Sequence, residues 1–81
     1  MRIIRKYANR KLYDTQEGHY VSLPDVAELI RAGEDVQVHE YRTERDLTAI
    51  ILAEIIFEEE KRGPRLDIEG LRRIIRSGLP L

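Results

Sequence analysis

Arg5-Lys6-Tyr7-Ala8-Asn9-Arg10-Lys11-Leu12-Tyr13-Asp14-Thr15 is the stretch on which the fold of this 81-residue chain turns. It sets four cations, two tyrosines and an asparagine ahead of its first acid, Asp14. Ile3 to Tyr7 reads as a strand. Ala8-Asn9-Arg10 reads as a tight turn, since asparagine tolerates left-handed backbone. Lys11 to Asp14 returns as a second short strand. The expected hairpin is anchored on the core by Ile3, Ile4, Leu12 and Tyr20, with Arg5, Lys6, Arg10 and Lys11 projecting outward.

Outward from the hairpin, Thr15-Gln16-Glu17-Gly18 is a turn in which Gly18 can take positive φ. His19-Tyr20-Val21 pairs back as a third strand. Ser22 reads as a helix N-cap, with Asp25 three residues on as a capping box and Pro24 in the first turn. Val26, Ala27, Leu29 and Ile30 share one helical face, and Gly33 closes that helix. Val36 to Tyr41 alternates as a half-buried strand does, and Arg42 to Arg45 is a polar turn. Asp46 or Thr48 caps the longest helix, Leu47 to Lys61, which Gly63-Pro64 stops. Asp67 caps a last helix, Ile68 to Arg76, ended by Gly78 and Pro80. The order β-β-β-α-β-α-α gives an α+β class with a small antiparallel sheet. Residues 1–81 are expected to form one domain, with the basic hairpin and third strand in 1–21 and a helical body holding one strand in 22–81.

A chain of this size buries roughly 60% of its unfolded surface, so a lone core is marginal. Cysteine is absent, which excludes disulfides. No apolar run approaches the roughly 20 residues of a bilayer span. The N-terminus lacks the apolar core of a signal peptide, so the expected location is the bacterial cytoplasm, with no membrane partner. The net charge of −1 conceals an asymmetry. Residues 1–24 carry five cations against Asp14 and Glu17, a net of +3. Residues 25–60 net −8, and residues 61–81 net +4. Net charge alone argues against nucleic acid; its distribution reopens the case.

Three readings of the hairpin stay open on residue chemistry alone. It is a phosphate-binding ribbon, an edge kept soluble by its cations, or a dock for an acidic protein. A two-stranded ribbon fits the major groove of duplex DNA. There Arg5, Lys6, Arg10 and Lys11 can meet phosphates or guanine edges. Asn9 either reads adenine or only shapes the turn. Tyr7 and Tyr13 can donate to phosphates or pack beneath arginine stems. On the long helix, apolar side chains cover most of the circumference, which an 81-residue monomer has little material to bury. One face is expected in the core, and Leu52, Ile55, Ile56 and Phe57 at an oligomer interface. In the last helix Arg72, Arg73 and Arg76 stand opposite Leu71, Ile74 and Ile75, as auxiliary phosphate contacts or an ordinary solvated face. Glu58-Glu59-Glu60 point in different directions and cannot share a ligand. His19 and His39 are isolated, so neither a metal, a cofactor nor catalysis is expected.

The stretch Arg5 to Thr15 closely resembles the opening motif of the polyhydroxyalkanoate synthesis regulators, at their N-terminal DNA-binding domain. The likeness continues through Tyr20-Val-Ser-Leu-Pro-Asp25, Gly33-Glu-Asp-Val-Gln-Val38, Asp46-Leu-Thr48 and Ile55-Ile-Phe-Glu-Glu-Glu60. What the resemblance implies is a transcriptional repressor that binds promoter DNA and leaves it on meeting nascent polyester. DNA contact carries over to Arg5, Lys6, Asn9, Arg10 and Lys11, with Tyr7 and Tyr13 as supports. Ala8 stands where the family usually has proline, and family members usually extend well past this domain. The expected partners are therefore double-stranded DNA and further copies of the chain, with a polyester granule or a protein beyond those. The rival class is an oligomeric protein-interaction module that does not touch DNA.

Overall fold

The computed structural model describes residues 1–78; the expected contribution of Pro80 to the final helix stop lies outside them. The elements are β1 (Arg2–Lys6), β2 (Leu12–Asp14), β3 (His19–Val21), α1 (Leu23–Arg31), β4 (Val36–Glu40), α2 (Thr48–Arg62) and α3 (Ile68–Ser77). This is the expected α+β order. The sheet runs β3-β2-β1-β4, with β1–β2 and β2–β3 antiparallel. β4, however, lies parallel to β1, so the sheet is mixed and not purely antiparallel. The cause is the route of the chain. After β3 it crosses through α1 before re-entering as β4, and a helical crossover of this kind joins parallel strands.

Side-chain alternation sorts the sheet into two faces. Ile4, Leu12 and Val38 point to the side covered by α1 and α2. They close a core with Val26, Ala27, Leu47, Ile51 and Ile55. Leu12 pairs with Val21, and Tyr13 with Tyr20, in the β2–β3 register. That register puts Tyr20 on the opposite face, where it is 54% exposed, so it is not the core anchor expected of it. A one-residue difference in register exchanges faces.

Capping chemistry fixes the helices. Ser22 and Asp25 form the expected reciprocal box: the Ser22 amide donates to Asp25 Oδ2 at 2.9 Å, and the Asp25 amide to Ser22 Oγ at 3.2 Å. The Ser22 amide, then its hydroxyl, hold the Asp25 carboxyl below the usual aspartate range. At α2 the N-cap is Leu47, in place of Asp46 or Thr48. Asp46 Oδ1 accepts from the Thr48 amide at 2.9 Å, and Thr48 Oγ1 accepts from the Val38 amide at 2.9 Å. Thr48 thus stitches the helix start to β4 and is unavailable as a cap.

On the covered side the sheet also buries a charge. Arg2 Nη1 lies 3.0 Å from Asp14 Oδ2 and 3.6 Å from Glu17 Oε1, and Arg2 Nη2 lies 2.7 Å from Glu34 Oε1. Asp14 Oδ1 accepts from the amides of Gln16 and Glu17, closing the β2–β3 turn. Arg2 therefore belongs to the framework and leaves the exposed basic patch.

Candidate nucleic-acid interface

The sheet has helices on one side only, and the register assembles a transverse row on the other. Arg5 pairs with Tyr13 and with His39, and Tyr13 pairs with Tyr20. Tyr7 and Tyr41 continue this face, so all four tyrosines of the chain meet there. Ring centroids lie 5.3 Å apart for Tyr13–Tyr20, 6.1 Å for Tyr7–Tyr13 and 4.5 Å for Tyr7–Tyr41. Edge-to-face pairs at such distances are favourable beyond their burial, which stiffens the hairpin without a second helical layer. Lys11 Nζ sits 5.1 Å from the Tyr20 centroid, a cation over a ring at the edge of the cluster.

The hairpin tip carries the exposed charge. Tyr7 O accepts from the Arg10 amide at 2.9 Å, and the Tyr7 amide donates to Lys11 O at 3.0 Å. Between them Arg10 takes φ 67°, the left-handed residue that a three-residue hairpin loop requires. Glycine or asparagine meets that demand at lower cost; arginine here puts a guanidinium at the apex instead. Asn9 Oδ1 accepts from the Lys11 amide at 3.0 Å. A bidentate adenine contact needs that oxygen as well as the amide nitrogen, so this bond favours the turn-shaping role of Asn9.

The expected DNA-contact residues thus divide by place. Asn9, Arg10 and Lys11 are exposed at the tip, while Arg5, Tyr7 and Tyr13 are half-buried on the open face. Lys6 alternates to the helix side, half-buried, where it lines a groove with Leu12, Ile51, Glu54 and Phe57. Arg5 is not free either, since its Nη1 lies 2.6 Å from Glu44 Oε1. The hydrogen bond to Arg5, then its charge, hold the Glu44 carboxyl below the usual glutamate range. Glu44 itself has φ 63° in the β4–α2 turn. Reasoning from the sequence missed Glu44, Tyr20 and Tyr41. Alternation could have found the tyrosines, but nothing local marks Glu44, which reaches Arg5 across 39 positions.

The other expected residues lie on the helices. Ile55 is 7% exposed and sits in the core, and Leu52 packs partly against it; Ile56, Phe57 and Ile50 are open. On α3 no residue is buried, and Leu71, Ile74 and Ile75 face outward with Arg72, Arg73 and Arg76. Glu69 pairs with Arg72 at 3.2 Å and with Arg76 at 3.5 Å. Among the described residues no helix is long and apolar enough to cross a membrane.

A one-sided sheet with a cationic hairpin and an aromatic open face carries the residue chemistry that strand-borne nucleic-acid binding uses. Comparison with known proteins agrees: the chain belongs to the family of the PHB/PHA accumulation regulator DNA-binding domain, which matches residues 3–63. An uncharacterized protein of Allochromatium vinosum is 42% identical over 76 residues, 93% of this chain and 50% of that protein. A Thiocystis violacea protein, described as uncharacterized and in the phbA 5' region, is 42% identical over 76 residues, 93% of this chain and 55% of its own. The chain spans about half the length of these curated relatives. No solved structure matches it.

Proposed function

We propose that this chain is a non-enzymatic, cytoplasmic transcriptional regulator, a repressor in polyhydroxyalkanoate synthesis, that reads duplex DNA with its β1–β2 hairpin. The observation that carries the reading is the exposed Arg10–Lys11 apex beside a tyrosine-lined open face, in a chain of this family. The ribbon enters the major groove tip first. Arg10 and Lys11 neutralise phosphates or meet guanine edges, and Arg5 joins them once Glu44 gives way. Tyr7 and Tyr13 stiffen the ribbon and offer hydroxyls to phosphates, and Asn9 sets the turn. Lys6, on the helix side, reaches the flanking backbone. Arg72, Arg73 and Arg76 of α3 add phosphate contacts at the periphery. Two or more copies, joined through the exposed α2 residues, present paired hairpins to paired half-sites. A polyester granule is the further ligand for the regulator as a whole.

The test is binding to a promoter duplex across a salt series. Arg10→Ala with Lys11→Ala is expected to abolish specific binding without a change in thermal stability. The log-log salt slope should fall by about 0.9 for every phosphate that the variant no longer neutralises. Unchanged affinity in a folded double variant overturns the hairpin reading. A second reading, a protein-interaction module, is favoured by the uncovered apolar faces of α2 and α3. Capture of an acidic protein with no affinity for any duplex selects it.

A further inference from the structure

Two helices of this chain carry apolar stripes that nothing in the monomer covers. On α2 the outward stripe is Ile50, Ala53, Ile56 and Phe57, all exposed, Phe57 by 61%. On α3 it is Ile68, Leu71, Ile74 and Ile75, all exposed, Ile75 by 81%. At about 100° per residue each stripe is about 120° wide, the width of a helix face that packs on another element. Contiguous uncovered apolar surface of this kind marks an interaction site.

Charge says which surface fits which. Four glutamates on α2 (Glu54, Glu58, Glu59 and Glu60) outweigh Lys61 and Arg62. Three arginines on α3 (Arg72, Arg73 and Arg76) outweigh Glu69. Pairing α2 with α2, or α3 with α3, sets like charges beside each stripe; pairing α3 with α2 sets Arg72 toward Glu54. Among the described residues Glu54 makes no ion pair, unlike Glu58, which meets Lys61 at 3.4 Å, and Glu59, which meets Arg31. Gly63-Pro64 ends α2, and among the described residues α3 makes no extensive contact with any other element.

We infer that α3 of one chain docks on the exposed stripe of α2 in a second copy, and that the second copy returns the contact. A reciprocal exchange closes on itself as a two-fold dimer and uses both stripes of both chains. The inference deepens the oligomeric reading above by naming what covers α2, and it gives a partner to the apolar stripe of α3, which phosphate contacts by its arginines leave unused.

The test is sedimentation of the 81-residue chain at micromolar concentration, with two variants at exposed positions. Ile74→Glu plus Ile75→Glu disables α3, and Phe57→Glu disables the α2 stripe. Circular dichroism and melting should show each folded like the parent. The exchange requires a dimeric parent, a monomer from each variant alone, and a regained dimer on mixing, because the mixture retains one intact α3 and one intact α2 stripe. Glu54→Arg should weaken the dimer and Arg72→Glu in the same chain restore it. A monomeric parent overturns both the exchange and the oligomeric reading. A dimer that survives loss of α3 but not of Phe57 overturns the exchange alone, leaving α2 pairing with itself. Two monomeric variants that fail to recombine overturn it as well.

Discussion

On the covered side of the sheet, Ile4 and Val38 are sealed beneath two helices, and the buried cation there, Arg2, has three carboxylates around it. On the open side, one residue along the same strands, Arg5 stands among tyrosines with Glu44 alone, and the cations of the tip have no carboxylate within 4 Å among the described residues. The same residue type therefore does opposite work according to the parity of its position in a strand. On one face an arginine is a structural bolt whose charge is already neutralised. On the other it is half-buried and paired with a single exposed carboxylate among the described residues. Variants on the two faces should separate stability from binding.

The largest effect belongs to the covered face. Asp14 is 1% exposed and holds both Arg2 and two turn amides. Asp14→Ala leaves the buried guanidinium without its most deeply buried counter-charge and opens the β2–β3 turn. Breaking one side of such a pair costs about 3–5 kcal/mol. Urea unfolding is expected to show that loss, while DNA affinity per folded molecule stays close to the parent. Equal stability would mean that Glu17 and Glu34 compensate Arg2 on their own.

An intermediate effect is expected at Tyr13, which touches both Tyr7 and Tyr20. Tyr13→Ala should cost about 0.5–1.5 kcal/mol for each aromatic pair removed, and DNA affinity should fall with it. Tyr13→Phe keeps the ring and so the stability. If affinity falls in that variant too, the hydroxyl meets a phosphate. If affinity is intact, the ring serves only to brace the ribbon.

At the tip the two quantities should move in opposite directions. Arg10→Gly relieves the left-handed strain, which is worth about 1–2 kcal/mol, against about 0.5–1 kcal/mol for the extra freedom of glycine when unfolded. A net gain of about 0.5 kcal/mol in unfolding free energy is expected, together with weaker DNA binding and a salt slope lower by about 0.9. A variant both more stable and equally tight would remove Arg10 from the interface.

Much of this division was legible in the sequence, and the parts that were not share a cause. The hairpin turn, the Ser22–Asp25 box and the element order rest on interactions within a few residues and stand as read, whereas Ile3 and Lys6 lie on the faces opposite to those expected. The mixed sheet, Tyr20 on the open face and Ile55 in the core depend on where β4, β3 and α2 land against the rest of the fold. Register and helix rotation set those, and the composition of the segment does not. Arg2 illustrates the same limit. Counted with its neighbours it is one of five cations; strand parity turns it inward, where Asp14, Glu17 and, from the loop after α1, Glu34 surround it.

The smallest and most specific effect is expected at Glu44, among the described residues the one carboxylate on the open face that engages the basic stretch. Its pKa is lowered in the folded chain by the bond to Arg5. The pairing is therefore complete above the ordinary glutamate value of about 4.3 and is lost as pH falls through the lower folded value. Between neutral pH and about 5 it contributes no pH dependence. Because the pair is exposed, its effect on stability is small. Its effect on binding is larger, since Glu44 competes for Arg5 with any phosphate. Glu44→Gln keeps the side-chain shape and the strained turn but removes the charge. At neutral pH the variant should bind duplex DNA more tightly, with a salt slope steeper by up to about 0.9, the value of one further phosphate neutralised. Adding Arg5→Ala should abolish that gain. If Glu44→Gln leaves both affinity and slope unchanged, Arg5 is as structural as Arg2, and the basic surface of this domain ends at Arg10 and Lys11.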